Sequence, residues 1–344
     1  MNPALRAMGQ PSPDDSLWVM PLILNIELTN RCNLACRFCD WKRLSVSMRP
    51  GSMDTQLLQD ILASVQHHRL YELGLVGLGE PLLDPNLEEH LRIVTQAGSS
   101  FQRITMNTNG LELDERNSRL ICNSAVVHVT VSLNAADIES YRQLMGRDTF
   151  EQVITNIKVL MQARKDTHRN DLQVDVQIME GAGTPSAVDS LLAAEREEGL
   201  RIFSRKVYSK PSVQETDCPL KAATPQIPVR YPCWSLFSRA YIDVNGWLYP
   251  CTIGNDCYRE ESDLCLGNVR TATFMELLNS SVARSARARA LRGTLPFPEC
   301  SSCNVWSLLP NNFIWDAAMS AWVLASESVR LPELDPESFN KRKG

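Results

Sequence analysis

Apolar residues change their spacing repeatedly along the chain, from every second residue to every third or fourth. Alternation typical of strands is followed by spacing typical of helices, and the order recurs from residue 23 to residue 208. The pattern predicts six strands, at Ile23–Leu28, Leu73–Leu78, Arg103–Thr108, Val126–Leu133, Leu172–Met179 and Arg201–Tyr208. It predicts intervening helices at Thr55–His67, Leu87–Ala97, Ile138–Gln143, Phe150–Arg164 and Ala187–Glu198. Strands that alternate with helices form parallel βα units, so we expect an α/β fold.

Three of the predicted strands carry polar residues along one face. The polar positions of the first, fourth and fifth strands are Asn25, Glu27, Thr29, His128, Thr130, Ser132, Asn134, Gln173, Asp175 and Gln177. A parallel sheet covered by helices on both sides would be apolar on both faces. A partial (β/α)6 TIM-like barrel, with helices outside and a polar ligand inside, accounts for this stripe. A polar face open to water is the alternative.

The composition of the chain changes after about residue 211, where prolines become frequent and a second group of cysteines begins. We therefore predict a flexible leader at residues 1–21, a barrel at 22–214, a small auxiliary unit at 215–308, and a C-terminal helix with a disordered tail at 309–344. Short strands are expected at Ala240–Val244 and Trp247–Tyr249, and helices at Phe274–Arg292 and Phe313–Ala325.

Composition excludes several classes of protein. Hydrophobic residues make up 44% of the chain and charged residues 22%, as in ordinary globular proteins, and the net charge of −5 gives no reason to expect a nucleic-acid partner. The apolar stretch Trp18–Ile26 contains Pro21 and Asn25 and is too short to span a bilayer. No basic segment precedes it as in a secretory signal, so we expect a cytoplasmic protein without a membrane partner.

Eleven cysteines are unusual in such a chain, because a reducing compartment favours metal or redox use over disulfides. Cys32, Cys36 and Cys39 form a C-x3-C-x2-C run directly after the first predicted strand. Three thiolates at this spacing can hold a 4Fe-4S cube and leave one iron open for chemistry. A zinc knuckle with a distant fourth ligand is the alternative.

This run resembles the defining motif of the radical S-adenosylmethionine superfamily, and further motifs of that family follow in order. The matching positions are Phe38, Gly77, Gly79, Glu80, Pro81, Asn109, Ser132 and Asn134. The resemblance implies that Phe38 packs near the adenine and that Ser132 and Asn134 reach the ribose and carboxylate of S-adenosylmethionine. Backbone groups of the glycine segment, or Glu80, would take the methionine ammonium. Leu78 stands where relatives usually have a glycine.

A second set, Cys233, Cys251, Cys300 and Cys303, can complete a cube with no open iron. Its spacing resembles the one-cluster auxiliary domain of the same superfamily, the truncated SPASM or twitch domain, and a zinc ribbon is the alternative. Four cysteines remain. Cys122 is expected to be buried filler, Cys257 and Cys265 could replace an assigned ligand, and Cys218 is a candidate hydrogen donor.

The resemblance implies two 4Fe-4S clusters, S-adenosylmethionine, and an electron donor such as flavodoxin or ferredoxin. One-cluster relatives of this size include 2-deoxy-scyllo-inosamine dehydrogenase and the cytosylglucuronate decarboxylase type. We therefore expect hydrogen abstraction from a hydroxyl-bearing carbon of a sugar, cyclitol or nucleoside in natural-product biosynthesis, followed by dehydrogenation, decarboxylation or epimerisation.

Two alternatives to this small-molecule function stay open. One is modification of a ribosomal peptide, which we disfavour because the region before residue 22 is too short for a leader-binding domain. The other is an iron–sulfur or zinc scaffold without catalysis. On the last strand, Lys206, Tyr208 and Lys210 share one face and are expected to bind a substrate carboxylate or phosphate. A solvated cationic sheet edge explains these three residues equally well.

Overall fold

A nine-stranded sheet dominates the computed structural model, which describes residues 17–46, 48–207, 220, 232–252, 262–308, 313–316 and 321–324. A separate two-stranded sheet lies near the C-terminus. The strands, numbered β1 to β11 in chain order, are Ile23–Ile26, Leu70–Leu75, Phe101–Thr108, His128–Asn134, Gln173–Met179, Arg201–Arg205, Arg239–Ile242, Trp247–Tyr249, Gly267–Asn268, Phe313–Asp316 and Ala321–Leu324.

Helices follow most strands of the first half of the chain, as the apolar spacing predicts. Numbered α1 to α11, they are Trp41–Leu44, Thr55–Val65, Leu87–Gln96, Glu115–Cys122, Ile138–Met145, Phe150–Asp166, Pro185–Asp189, Ala193–Glu197, Ser235–Ser238, Phe274–Leu278 and Ser281–Leu291. Single 3-10 turns lie at Pro81–Leu83, Gly98–Ser100, Pro298–Ser301 and Val305–Leu308. No helix among the described residues is long and apolar enough to cross a bilayer.

The first six strands pair in chain order and all in parallel, from β1 to β6. β6 lies at the edge of the sheet, so the six strands do not close into a complete barrel. The predicted α/β class, a partial barrel of six βα units, is confirmed. Their apolar face packs against the helices. The opposite, polar face is also buried, with Asn25, Glu27 and Gln177 between 1% and 6% exposed. A polar face open to water is therefore wrong for these positions.

The sheet continues past β1 into the auxiliary unit. β7 pairs with β1 in parallel, with Ile23 opposite Arg239, and β8 and β9 follow in antiparallel order. The two units thus share one sheet, because β7 occupies the edge of β1 that a closed barrel would use for its last strand.

Part of the predicted leader is fixed to the auxiliary unit. The amide of Asn279 accepts a hydrogen bond from Val19 N at 2.8 Å and donates to Val19 O at 3.0 Å. Arg287, only 1% exposed, donates to Leu17 O at 2.9 Å. The flexible leader predicted to reach residue 21 is therefore wrong from Leu17 onward.

Three helix predictions also need correction. The segment predicted as one helix over 313–325 contains β10 and β11, which pair antiparallel with Phe313 opposite Leu324. Aromatic and β-branched residues favour strands, and spacing within so short a segment does not distinguish the two. The helices predicted over 187–198 and 274–292 are each divided, and at the second break the Ser280 side chain caps α11.

Candidate cofactor and substrate site

The first cysteine run lies in the loop between β1 and α1. Cys32, Cys36 and Cys39 are partly buried and close enough to interact electrostatically. Burial raises the pKa of Cys32 to about 12 and also raises the pKa of Cys36. These thiols stay neutral without a metal, and ligation exchanges their protons for iron.

Neighbouring elements hold this loop in place. Asn109, at the end of β3, donates to Asn33 Oδ1 at 2.7 Å and also contacts Cys32. Asn33 donates in turn to Glu112 at 2.9 Å. Asn109 was predicted from sequence to bind S-adenosylmethionine, and its observed contacts connect β3 to the cysteine loop.

The Gly77–Pro81 segment approaches the same loop from the end of β2. A Cβ at Gly79 would lie 2.1 Å from Thr29 O, so only glycine fits against this backbone. Glu27, the residue after β1, accepts hydrogen bonds from Leu78 N at 2.7 Å and Gly79 N at 3.2 Å. The segment is thereby held beside the cysteine loop.

Glu80 is buried between this segment and β3. Its carboxylate accepts hydrogen bonds from Thr108 Oγ1 at 2.6 Å, Asn109 N at 2.6 Å and Leu82 N at 3.2 Å. Burial raises the pKa of Glu80 to about 7, and the three hydrogen bonds limit the rise. Both carboxylate oxygens are therefore engaged by the chain itself.

Ser132 and Asn134 end β4 on the polar stripe. Asn134 has a φ of 62°, a left-handed conformation that asparagine tolerates, and the pairing with β5 shifts between these residues. Its side chain accepts a hydrogen bond from Gln177 Nε2 at 2.9 Å. The irregularity turns the Asn134 amide toward Gln177, a contact that alternation alone does not predict.

The substrate residues predicted on the last strand are only partly described. Lys206 is exposed and follows β6, whereas Tyr208 and Lys210 lie outside the described residues. The register places Arg201, Phe203 and Arg205 opposite Asp175, Gln177 and Met179, on the polar face. Arg205 is the cation that this face presents near the carboxyl end of β6.

A charged network spans the amino ends of β2 to β6 on this face. Asp175 accepts two hydrogen bonds from Arg201, both at 2.8 Å, and contacts His128 at 2.9 Å. His128 also contacts Arg103, which pairs with Glu72 at 3.2 Å. Alternation along the sequence predicts that His128 and Asp175 lie on the polar stripe, but it does not predict this network, because charge pairing depends on the register between strands.

The second cysteine set lines one cavity in the auxiliary unit. Cys233, Cys251, Cys300 and Cys303 surround it together with Leu236, Leu264, Val305 and Trp306, among others. Four converging thiols in an apolar cavity fit a fully ligated cube. Among the described residues, no three side chains are close enough together to bind a single metal ion. A cube does not need such a group, because each of its thiolates binds a separate iron.

The remaining cysteines lie apart from this arrangement or outside the description. Cys122 is buried at the end of α4, where it packs in the core as predicted. Cys265 is partly buried next to Leu264 and does not line the cavity. Cys218 and Cys257 lie outside the described residues.

Comparison with known proteins agrees with this geometry. Residues 26–171 match the Radical SAM superfamily, and residues 233–304 match the iron–sulfur cluster-binding domain SPASM. GTP 3',8-cyclase of Erythrobacter litoralis is 25% identical over 135 residues, which are 39% of this chain and 40% of that protein. The chain thus spans about two fifths of the length of this curated relative.

Solved structures share the fold at low identity. The crystal structure of BtrN in complex with AdoMet and 2-DOIA has a TM-score of 0.53 at 16% identity and covers 83% of this chain and 94% of that chain. Streptococcus suis SuiB bound to precursor peptide SuiA has a TM-score of 0.58 at 14% identity and covers 84% of this chain and 71% of that chain.

The matched domains imply the cofactors of this chain. The first domain implies S-adenosylmethionine with a 4Fe-4S cluster, and the second implies an additional iron–sulfur cluster. Iron–sulfur clusters, and not zinc, are therefore the metal cofactors that these two domains imply. Residues 26–171 thus form a domain of the radical SAM superfamily, and residues 233–304 form an iron–sulfur cluster-binding domain.

Proposed function

We propose that this protein removes a hydrogen atom from a hydroxyl-bearing carbon of a small polar metabolite, such as a sugar, a cyclitol or a nucleoside. When bound, the open cluster and S-adenosylmethionine supply the 5'-deoxyadenosyl radical that takes this hydrogen. The electron comes from a donor such as flavodoxin or ferredoxin. In dehydrogenation, the substrate radical would lose a proton and one further electron, for which the auxiliary cluster would be the acceptor. Decarboxylation or epimerisation would start from the same radical.

The chain's own residues would bind and orient S-adenosylmethionine. Phe38 packs near the adenine, while Ser132 and Asn134 face the ribose and carboxylate. Glu80 already accepts three hydrogen bonds from the chain, so the carbonyl groups of the Gly77–Pro81 segment are better placed to accept from the methionine ammonium.

One observation carries the proposed substrate class: the polar face of β5 and β6 near their carboxyl ends. Gln177 is buried there, and Arg205 follows on the neighbouring strand with the same orientation. An amide and a guanidinium suit a molecule with hydroxyl groups and a carboxylate or phosphate. Lys206, Tyr208 and Lys210 stay predicted substrate residues, and Cys218 stays a predicted hydrogen donor.

The complex of BtrN with 2-DOIA supports a small-molecule substrate, since that chain is matched over 94% of its length. The complex of SuiB with its precursor peptide supports peptide modification as the second candidate. Isotope transfer distinguishes the two.

The test is anaerobic incubation of reconstituted protein with S-adenosylmethionine, a reductant and candidate substrates deuterated at hydroxyl-bearing carbons. We expect deuterium in 5'-deoxyadenosine, and none with the variant carrying Ala at Cys32, Cys36 and Cys39. Arg205→Ala should weaken turnover by about ten- to a hundredfold, the loss of one charge-assisted contact. The variant Lys206→Ala tests whether Lys206 also binds the substrate. Deuterium arriving from a labelled peptide instead would establish the peptide-modifying function.

A further inference from the structure

Glu299 directly precedes Cys300, and its side chain lines the auxiliary cavity together with the four cysteines. Ser262 donates a hydrogen bond to Glu299 Oε1 at 2.9 Å. The second oxygen, Oε2, is buried and accepts no hydrogen bond from the described residues. A carboxylate oxygen removed from water without a donor is costly, which calls for an explanation at this position.

The rest of the cavity wall gives Glu299 no compensating cation. Its described lining consists of the cysteines, Ser235 and the side chains Leu236, Leu264, Val305 and Trp306, with no Lys, Arg or His among them. In such apolar surroundings the effective dielectric constant is low, so a charge acts strongly on neighbouring groups. The Glu299 carboxylate therefore exerts its field on whatever the four cysteines hold.

Charge near a cluster changes its affinity for an electron. Net charge, hydrogen bonds and burial set the reduction potential of an iron–sulfur cluster, and the surrounding residues act through the same terms. Reduction adds a negative charge, so a nearby carboxylate disfavours the reduced form. The potential is accordingly lower than with a neutral side chain of the same shape.

We propose that Glu299 lowers the reduction potential of the auxiliary cluster, and that Ser262 holds its carboxylate in place. The inference rests on the assignment of this cluster to Cys233, Cys251, Cys300 and Cys303. It does not depend on the identity of the substrate. Failure of the substrate proposal therefore leaves it intact.

The experiment uses the variant with Ala at Cys32, Cys36 and Cys39, so that the auxiliary cluster alone gives a signal. Its midpoint potential is measured by redox titration monitored by electron paramagnetic resonance. Glu299→Gln should shift the midpoint to a more positive potential, and Glu299→Asp, which keeps the charge, should stay closer to the parent. Asp263→Asn is the matched control, because Asp263 is exposed, lies next to Ser262 and loses the same charge.

An unchanged midpoint for Glu299→Gln would overturn the proposal, as would an equal shift with Asp263→Asn, since that would indicate only a general surface-charge effect. If Glu299→Gln does not retain iron, Glu299→Ala and Glu299→Asp are compared instead. The Asp variant must then have the lower potential. Equal potentials for these two variants would refute the role of the charge.

Discussion

Buried carboxylates that accept hydrogen bonds from backbone N–H groups recur around the cofactor loops. Glu27 binds the segment after β2, Glu80 binds the end of β3, and Asp243 binds the turn between β7 and β8. Backbone N–H groups keep their protons at any working pH, so these carboxylates fix loop positions without an exchanging partner. Each removes a charge from water to do so, and for Glu80 and Asp243 the cost appears as a raised pKa.

Asp243 gives the prediction at this scale. Burial raises the pKa of Asp243 to about 6, against hydrogen bonds from Trp247, Asn245 and Gly246. Between its unfolded and folded pKa values the folded state binds more protons, so stability falls by about 3 kcal/mol as the pH rises through this range. Asp243→Asn should not show this fall, because an amide does not titrate. The variant can still fold, since Asn245 N and Trp247 N both donate to Oδ1 and an amide oxygen accepts the same hydrogen bonds.

Urea unfolding across that pH range measures the effect. The variant should gain stability over the wild type as the pH rises, with little difference at the acid end. A difference that does not change with pH would show that Asp243 does not titrate in this way.

At the scale of elements, a network of charged side chains crosses β2 to β6 near their amino ends. Asp175 lies at its centre with a side chain 8% exposed, and Arg201 opposite is 38% exposed. Burial acts to raise the pKa of Asp175, but hydrogen bonds from His128 and Arg201 outweigh it, so the pKa is lowered. This side chain therefore stabilises the fold in its charged form.

Asp175→Asn should lower the free energy of unfolding by about 2 kcal/mol at neutral pH, less than a fully buried pair because Arg201 is partly solvated. The difference from wild type should disappear as the pH falls through the lowered pKa. Asp171→Asn is the control, since Asp171 pairs with Arg169 but is 60% exposed, and its loss should stay below about 1 kcal/mol. Equal losses in both variants, measured by urea unfolding, would contradict a special role for the network.

At the scale of the whole molecule, one sheet runs through both parts of the chain that carry the cysteine sets. The cysteine loop follows β1, and the auxiliary unit begins its strands with β7, the direct neighbour of β1. Glu27, directly after β1, also accepts a hydrogen bond from Val244 N at 3.4 Å, in the turn after β7. The two sites are thus held by adjacent strands while each keeps its own ligands.

Because the two clusters are predicted to have separate ligands, changing one set of cysteines should remove only the iron of that cluster. The variant with Ala at Cys32, Cys36 and Cys39 should keep about half of the wild-type iron and sulfide, one cube of two. Cys265→Ala should keep all of it, because Cys265 does not line the auxiliary cavity. Bound zinc, or iron loss in the Cys265 variant, would show that the ligands are assigned wrongly.

The local sequence by itself determined the order of strands and helices, the polar stripe and the cysteine motifs. Strand and helix periods depend on neighbouring residues, so the βα order and the polar stripe were predictable. The cysteine spacings were equally informative, because a cluster needs its ligands on one short loop or in a fixed pattern.

Tertiary structure alone decided how distant residues combine. The helical spacing over residues 313–325 is ambiguous locally, and the partner strand decides in favour of a hairpin. The His128–Asp175–Arg201 contacts require the register of three strands, and the fixing of Leu17 requires Arg287, which lies 270 residues away. Glu299 is one acidic residue among many in the sequence. Only the fold buries one oxygen of its carboxylate and places the residue in the wall of a cavity lined by four cysteines, because burial and proximity are properties of packing and not of local order.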